Sequence, residues 1–188
     1  MYEEPSSARE NTHGSTIAHL RDGMTRFGLL LCGLLLPALA QADTLLPPVA
    51  SACVSSPFGP RVLPNRPWAG TYHYGIDMPA PAGAAVRAVA PGRVIRAQRK
   101  GPGGLEVLVR HDGFIGIYSH LGMMTPALAM GKTSLAAGEK IGVVGHSGLT
   151  YGMHVYFEML RDGKPVDPAP YLGVTACGGP RHVTASRQ

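Results

Sequence analysis

Residues 105–120 read LEVLVRHDGFIGIYSH, and this stretch decides the fold class. Leu105, Val107 and Val109 alternate with Glu106, Leu108 and Arg110, the period of a strand with two different faces. Asp112-Gly113 is a turn dipeptide, and Phe114 to His120 follows as a second β-rich run. The segment therefore predicts a β-hairpin in which Tyr118 and His120 share one face.

Outward from it, the same grammar recurs. Val86 to Val89 and Arg93 to Ala97 flank Pro91-Gly92, which predicts another hairpin. Val155 to Leu160 ends in Asp162-Gly163, a third turn of the same kind. In Gly152 to Glu158, strand alternation puts His154, Tyr156 and Glu158 on one face and Val155, Phe157 and Met159 on the other. A helix fits only near Pro126 to Lys132. With 25 Gly and 17 Pro in 188 residues, punctuation is dense and no sustained helical period appears. The expectation is an all-β antiparallel sheet or sandwich with few or no helices.

Composition sets the outer limits. With 45% hydrophobic and 15% charged residues, the chain is globular and long enough for one domain with its own core. Met24 to Ala42 has the form of a secretory signal: basic Arg26, an apolar run from Phe27 to Leu39, then Ala40-Gln41-Ala42 ahead of Asp43. Met1 to Gly23 is polar and unpatterned, which places the expected start of translation at Met24. The apolar run is short for a membrane span, so no transmembrane segment is expected after signal removal. Cys32 lies within it behind Leu31, where a lipoprotein signal carries a small residue, and is read as filler.

Four segments follow: 1–42, upstream extension and signal; 43–52, an extended lead-in; 53–177, the domain; 178–188, a flexible tail. Cys53 and Cys177 bracket the domain, and in an oxidising exported compartment, periplasmic or secreted, such a pair is expected to bond. The net charge of +5 favours anionic partners such as wall polymers or membrane surface, and equally favours plain solubility. No Lys/Arg run with interleaved aromatics supports nucleic-acid binding.

Candidate chemistry rests on three short segments. His73 and Asp77 lie four apart in a stretch with Gly75 and Pro79, which is loop or strand; there they point to one side and offer imidazole nitrogen and carboxylate oxygen to a metal. Such pairs also occur by chance beside turns. His154, Tyr156 and Glu158 form the second set, and Tyr118-Ser119-His120-Leu121 the third. Each alone is compatible with a structural histidine, as are His111, His146 and His182.

In combination, and in this order, the segments resemble the lysostaphin-type zinc endopeptidases that cut peptide cross-links in peptidoglycan. The similarity runs from Ser56-Pro57-Phe58-Gly59-Pro60-Arg61 through His73 to Asp77, Gly83 to Val94, Tyr118 to Leu121, Gly138 to Gly148 and His154 to Glu158, closing with Asp167-Pro168 and Tyr171-Leu172. It covers about residues 52–173. The resemblance implies one zinc ion held by His73, Asp77 and position 156, with His120 and His154 as catalytic histidines. Position 156 is Tyr where the family has His. A catalytic zinc ordinarily has three protein ligands and a water, and a phenol of ordinary pKa ~10 must be deprotonated before it ligates well. Two readings follow: a peptidoglycan metalloendopeptidase, or a degenerate member that binds cell wall or activates a partner hydrolase.

Overall fold

The computed structural model describes residues 45–50, 52–66 and 69–178. The signal segment, Cys32, His182 and most of the tail lie outside the described residues. Among those described, no helix is long and apolar enough to cross a membrane.

The strands are β1 (Gly59–Pro60), β2 (Tyr72–His73), β3 (Ile76–Pro79), β4 (Ala85–Arg87), β5 (Gly92–Arg99), β6 (Leu105–His111), β7 (Phe114–Ser119), β8 (Leu121–Met124), β9 (Ser134–Leu135), β10 (Lys140–Val144), β11 (His154–Arg161) and β12 (Lys164–Val166). One-turn helices α1 (Pro126–Ala129) and α2 (Ala169–Leu172) complete the set. The large sheet runs β12-β11-β7-β6-β5-β9, with β3 also paired to β11. A three-stranded sheet, β4-β10-β8, and the β1-β2 pair stand apart from it. All the strand pairs are antiparallel, so the all-β expectation holds.

Alternation explains the layering. Val107 and Val109 of β6, Tyr118 of β7 and Val155 and Phe157 of β11 point to the face where Val86, Leu121, Ile141 and Val144 of the smaller sheet also lie buried. One core therefore forms between the sheets, held by apolar surface removed from water. The β6–β7 hairpin turns at Asp112-Gly113, with His111 opposite Phe114. The β11–β12 hairpin turns at Asp162-Gly163, where φ of 50° and 73° supply the left-handed pair that a tight two-residue turn requires.

Two expectations fail. Pro91-Gly92 does not close a hairpin, because β4 pairs with β10 whereas β5 pairs with β6 and β9. The dipeptide instead carries the chain from one sheet to the other, and the Pro91 carbonyl accepts a hydrogen bond from His111 Nδ1 at 2.9 Å. Tyr118 and His120 do not share a face either. His120 has φ of 63°, which ends the strand and breaks its period of two, so Tyr118 is fully buried in the core while Ser119 and His120 line the opposite cleft.

The chain ends are tied in. Cys53 and Cys177 form a disulfide with Cα atoms 4.9 Å apart, beside a parallel bridge between Val54 and Ala176. Ahead of it, Leu46 N donates to Val89 O and Arg87 N to Pro48 O, and Val49 is buried in the core.

Candidate histidine–aspartate groove

Strand β11 organises the cleft. Its core-facing residues alternate with His154, Tyr156 and Glu158, which face the other way. Along one edge β11 pairs with β7, and along the other first with β3 and then with β12. Tyr156 thus lies directly between Asp77 on β3 and Ser119 on β7. His73 comes from β2, two residues before Gly75. A Cβ at Gly75 would stand 2.4 Å from the Phe157 carbonyl oxygen, so only glycine lets the β2–β3 bend approach β11 this closely. That approach places His73 and Asp77 over Tyr156.

The three histidines are held alike. His73 Nδ1 lies 2.9 Å from Pro57 O, His120 Nδ1 2.9 Å from Ser147 O, and His154 Nδ1 3.0 Å from Gly152 O. A carbonyl oxygen only accepts, so each Nδ1 carries hydrogen. The Nε2 atoms of His73 and His154 are each 3.3 Å from Asp77 Oδ1, and the His120 and His154 rings are 4.9 Å apart between centroids. Asp77 Oδ1 is thus the point on which the two Nε2 atoms converge. Burial alone would raise the Asp77 pKa, but hydrogen bonds and charge from His154 and His73 outweigh it and hold the carboxyl well below its ordinary range. Burial lowers His120, so that ring is neutral near pH 7.

Beneath the histidines lies a second polar layer, in which Glu158 stands where strand alternation put it and Glu106 is a residue that periodicity did not single out. Glu106 accepts from Ser119 Oγ at 2.9 Å and from Gln98 Nε2 at 3.1 Å. Glu158 accepts from the Tyr156 hydroxyl at 2.7 Å. The alternation of β6 is the signal that could have placed Glu106 on the cleft side as well. Arg61, from the loop after β1, donates to Ser56 Oγ at 3.2 Å and to the Ala69 carbonyl.

These groups floor a cleft of about 790 Å³. Its rim carries exposed Tyr72, Tyr74, Leu149, Tyr151 and Met153, and the Arg66 guanidinium sits 4.9 Å over the Tyr151 ring. The structure therefore brings His73, Asp77, His120, His154 and Tyr156 into one cleft. Cys53 and Cys177 are not among the residues that line it.

The donor set does not fit the zinc site implied by the sequence resemblance. Tyr156 turns its hydroxyl onto Glu158, and burial, followed by the Glu158 charge and hydrogen bond, pushes its pKa far above the ordinary phenol value. It is a neutral hydrogen-bond donor. Of the implied ligand set His73 and Asp77 remain, and the Nε2 of His154 turns to the same Asp77 oxygen.

Comparisons with known proteins place the chain. Residues 71–168 match the pattern of peptidase family M23. The DD-carboxypeptidase/endopeptidase Mpg of Neisseria meningitidis is 38% identical over 123 residues, covering 64% of this chain and 27% of that protein. The murein hydrolase activator EnvC of Escherichia coli is 38% identical over 100 residues, covering 53% and 23%. The chain thus spans about a quarter of the length of these curated relatives. Among solved structures, a putative peptidase M23 from Pseudomonas aeruginosa superposes with a TM-score of 0.57 at 32% identity, over 69% of this chain and 50% of the other. A zinc-containing peptidase from Vibrio cholerae gives 0.57 at 27% identity, over 69% and 39%. With the family pattern and the fold of these solved structures in agreement, this chain is a member of peptidase family M23, with a tyrosine at one of the positions on which its histidine–aspartate cluster converges.

Proposed function

We propose that this protein is an exported, wall-associated member of its family that uses the cleft to bind peptidoglycan peptide without hydrolysing it, and that in this state it acts on a partner cell-wall hydrolase. The observation that carries the reading is the Tyr156 to Glu158 hydrogen bond of 2.7 Å, which commits the hydroxyl to a carboxylate instead of a metal. Similarity to murein hydrolase activators supports the partner role. The sequence of residues 24–42 and the Cys53–Cys177 bridge support export.

The cleft offers binding chemistry in its own right. Rim tyrosines give amphipathic contact area with few rotatable bonds, and the Asp77, Glu106 and Glu158 side chains below face any peptide amide or ammonium that enters. With the Tyr156 hydroxyl committed to Glu158, His120 and His154 act as hydrogen-bonding groups whose orientation is fixed by Ser147 O and Gly152 O.

The metalloendopeptidase reading keeps two observations in its favour: His73, Asp77, His120 and His154 converge, with the histidine Nδ1 atoms tied back, and the chain is similar to the DD-carboxypeptidase/endopeptidase Mpg. One experiment separates the two. The purified mature protein is expected to hold far less than one zinc per chain and to clear no peptidoglycan in a zymogram. Tyr156→His is expected to gain both zinc and chelator-sensitive clearing. Stoichiometric zinc with clearing by the unmodified protein would establish the peptidase instead.

A further inference from the structure

The face of the large sheet that floors the cleft continues beyond it. On β6, Glu106, Leu108 and Arg110 share this face, and Glu106 is part of the cleft floor. Arg110 is four residues further along the strand, about 13 Å away at ~3.3 Å per residue. Strand β5 carries Arg93, Arg96 and Arg99; Arg99 lies opposite core-facing Leu105, while Arg93 and Arg96 are three positions apart, a spacing that a regular strand would send to opposite faces. A register shift between Val94 and Arg96 absorbs the odd step, so that Arg93 pairs with Arg110 and Arg96 with Leu108. Three exposed arginines thereby share this face, Arg93 and Arg110 at its end remote from the cleft histidines and Arg96 one step nearer.

Arg93 and Arg110 stand directly opposite each other, a like-charge pair that costs a sheet stability. Among the described residues, none of the three arginines has an ion-pair partner. Beside them on the same face runs an apolar strip, with Ile115 opposite Arg110 and Leu108 between Arg96 and Ile117, half-buried and therefore not protruding. A flat strip flanked by cations and leading into a peptide-sized cleft matches an extended chain better than a membrane, which calls for protruding apolar side chains. Guanidinium forks engage carboxylates two bonds at a time, which gives the cluster its selectivity.

We infer that this face is a single ligand track in which Arg93, Arg96 and Arg110 hold the free carboxylates of a peptide whose other end occupies the cleft. The inference rests on the wall-binding reading, and it names the part of the wall ligand that is recognised: its carboxylate-bearing stem.

Co-sedimentation with purified peptidoglycan sacculi tests it at low and moderate salt. Replacing all three residues (Arg93→Gln, Arg96→Gln, Arg110→Gln) is expected to weaken binding at least tenfold at low salt, with a smaller loss at moderate salt. Sacculi whose carboxylates have been amidated are expected to bind the native and substituted proteins equally. The substitutions relieve a like-charge pair, so a thermal melt is expected to be unchanged or raised; the single reversal Arg96→Glu serves as a second variant. Equal binding of native and substituted protein to intact sacculi overturns the inference while leaving wall binding in place. So does a loss seen only with phosphatidylglycerol vesicles. If the native protein does not co-sediment at all, the wall-binding reading falls together with the track.

Discussion

Tyr156→Phe would leave Glu158 without the donor now 2.7 Å away. An acceptor stranded in a largely buried site costs about 1–3 kcal/mol, so urea denaturation should show a loss of that order. A larger loss would mean that the hydroxyl supports more than Glu158. His111 offers a cleaner titration. Burial, opposed by hydrogen bonding to the Pro91 carbonyl, lowers its pKa below 6.5, so the unfolded chain binds the proton more readily. Its contribution to stability is therefore complete above ~6.5 and lost as pH falls below that value. Denaturation midpoints should fall between pH 7.5 and pH 5, and His111→Gln should remove part of that fall. An identical slope in the variant would assign it all to other groups, His120 among them. At this scale the sequence showed that position 156 departs from the family pattern, but not where the phenol points. That depends on Glu158, two residues along the same face, and on a burial that only the folded sheet creates.

At the scale of elements, hairpins were legible where the turn residues and the flanking alternation agree, as at Asp112-Gly113 and Asp162-Gly163. Pro91-Gly92 offered the same local signal without the pairing, because partner choice is non-local: Ala85 to Arg87 finds β10, more than fifty residues on. Helix α2 was not anticipated, since two prolines in and beside a single turn hide it from any periodic search. The His120 face was misassigned because strand periodicity carries no warning of a left-handed residue. The β2–β3 bend yields a sharp prediction. Gly75→Ala places a methyl 2.4 Å from the Phe157 carbonyl oxygen, so β3 must lift from β11. Melting should fall by several degrees, and the His73 and His154 imidazole NMR signals, both set by contact with Asp77, should move together. Signals that stay in place would show that the bend can give way elsewhere.

For the whole molecule, one core between a large and a small sheet carries the fold, and the bridge between Cys53 and Cys177 spans 124 residues of sequence. In the chain-entropy model a loop of that size stabilises by about 4–5 kcal/mol. The double substitution Cys53→Ser with Cys177→Ser should lower the melting temperature by roughly 10–20 °C and leave the native fold intact, as circular dichroism would report. A shift of only a degree or two would mean that the unfolded chain is already constrained without the bridge. The bridge also decides how the domain meets mechanical load. Once the short lead-in that rests on Val89 and Arg87 has peeled away, tension between the two ends passes through one covalent link and bypasses every ladder of the sheet. Pulled from both ends, the oxidised domain would act as an inextensible knot, keeping the cleft unchanged under a force that would draw the reduced chain out by about 40 nm.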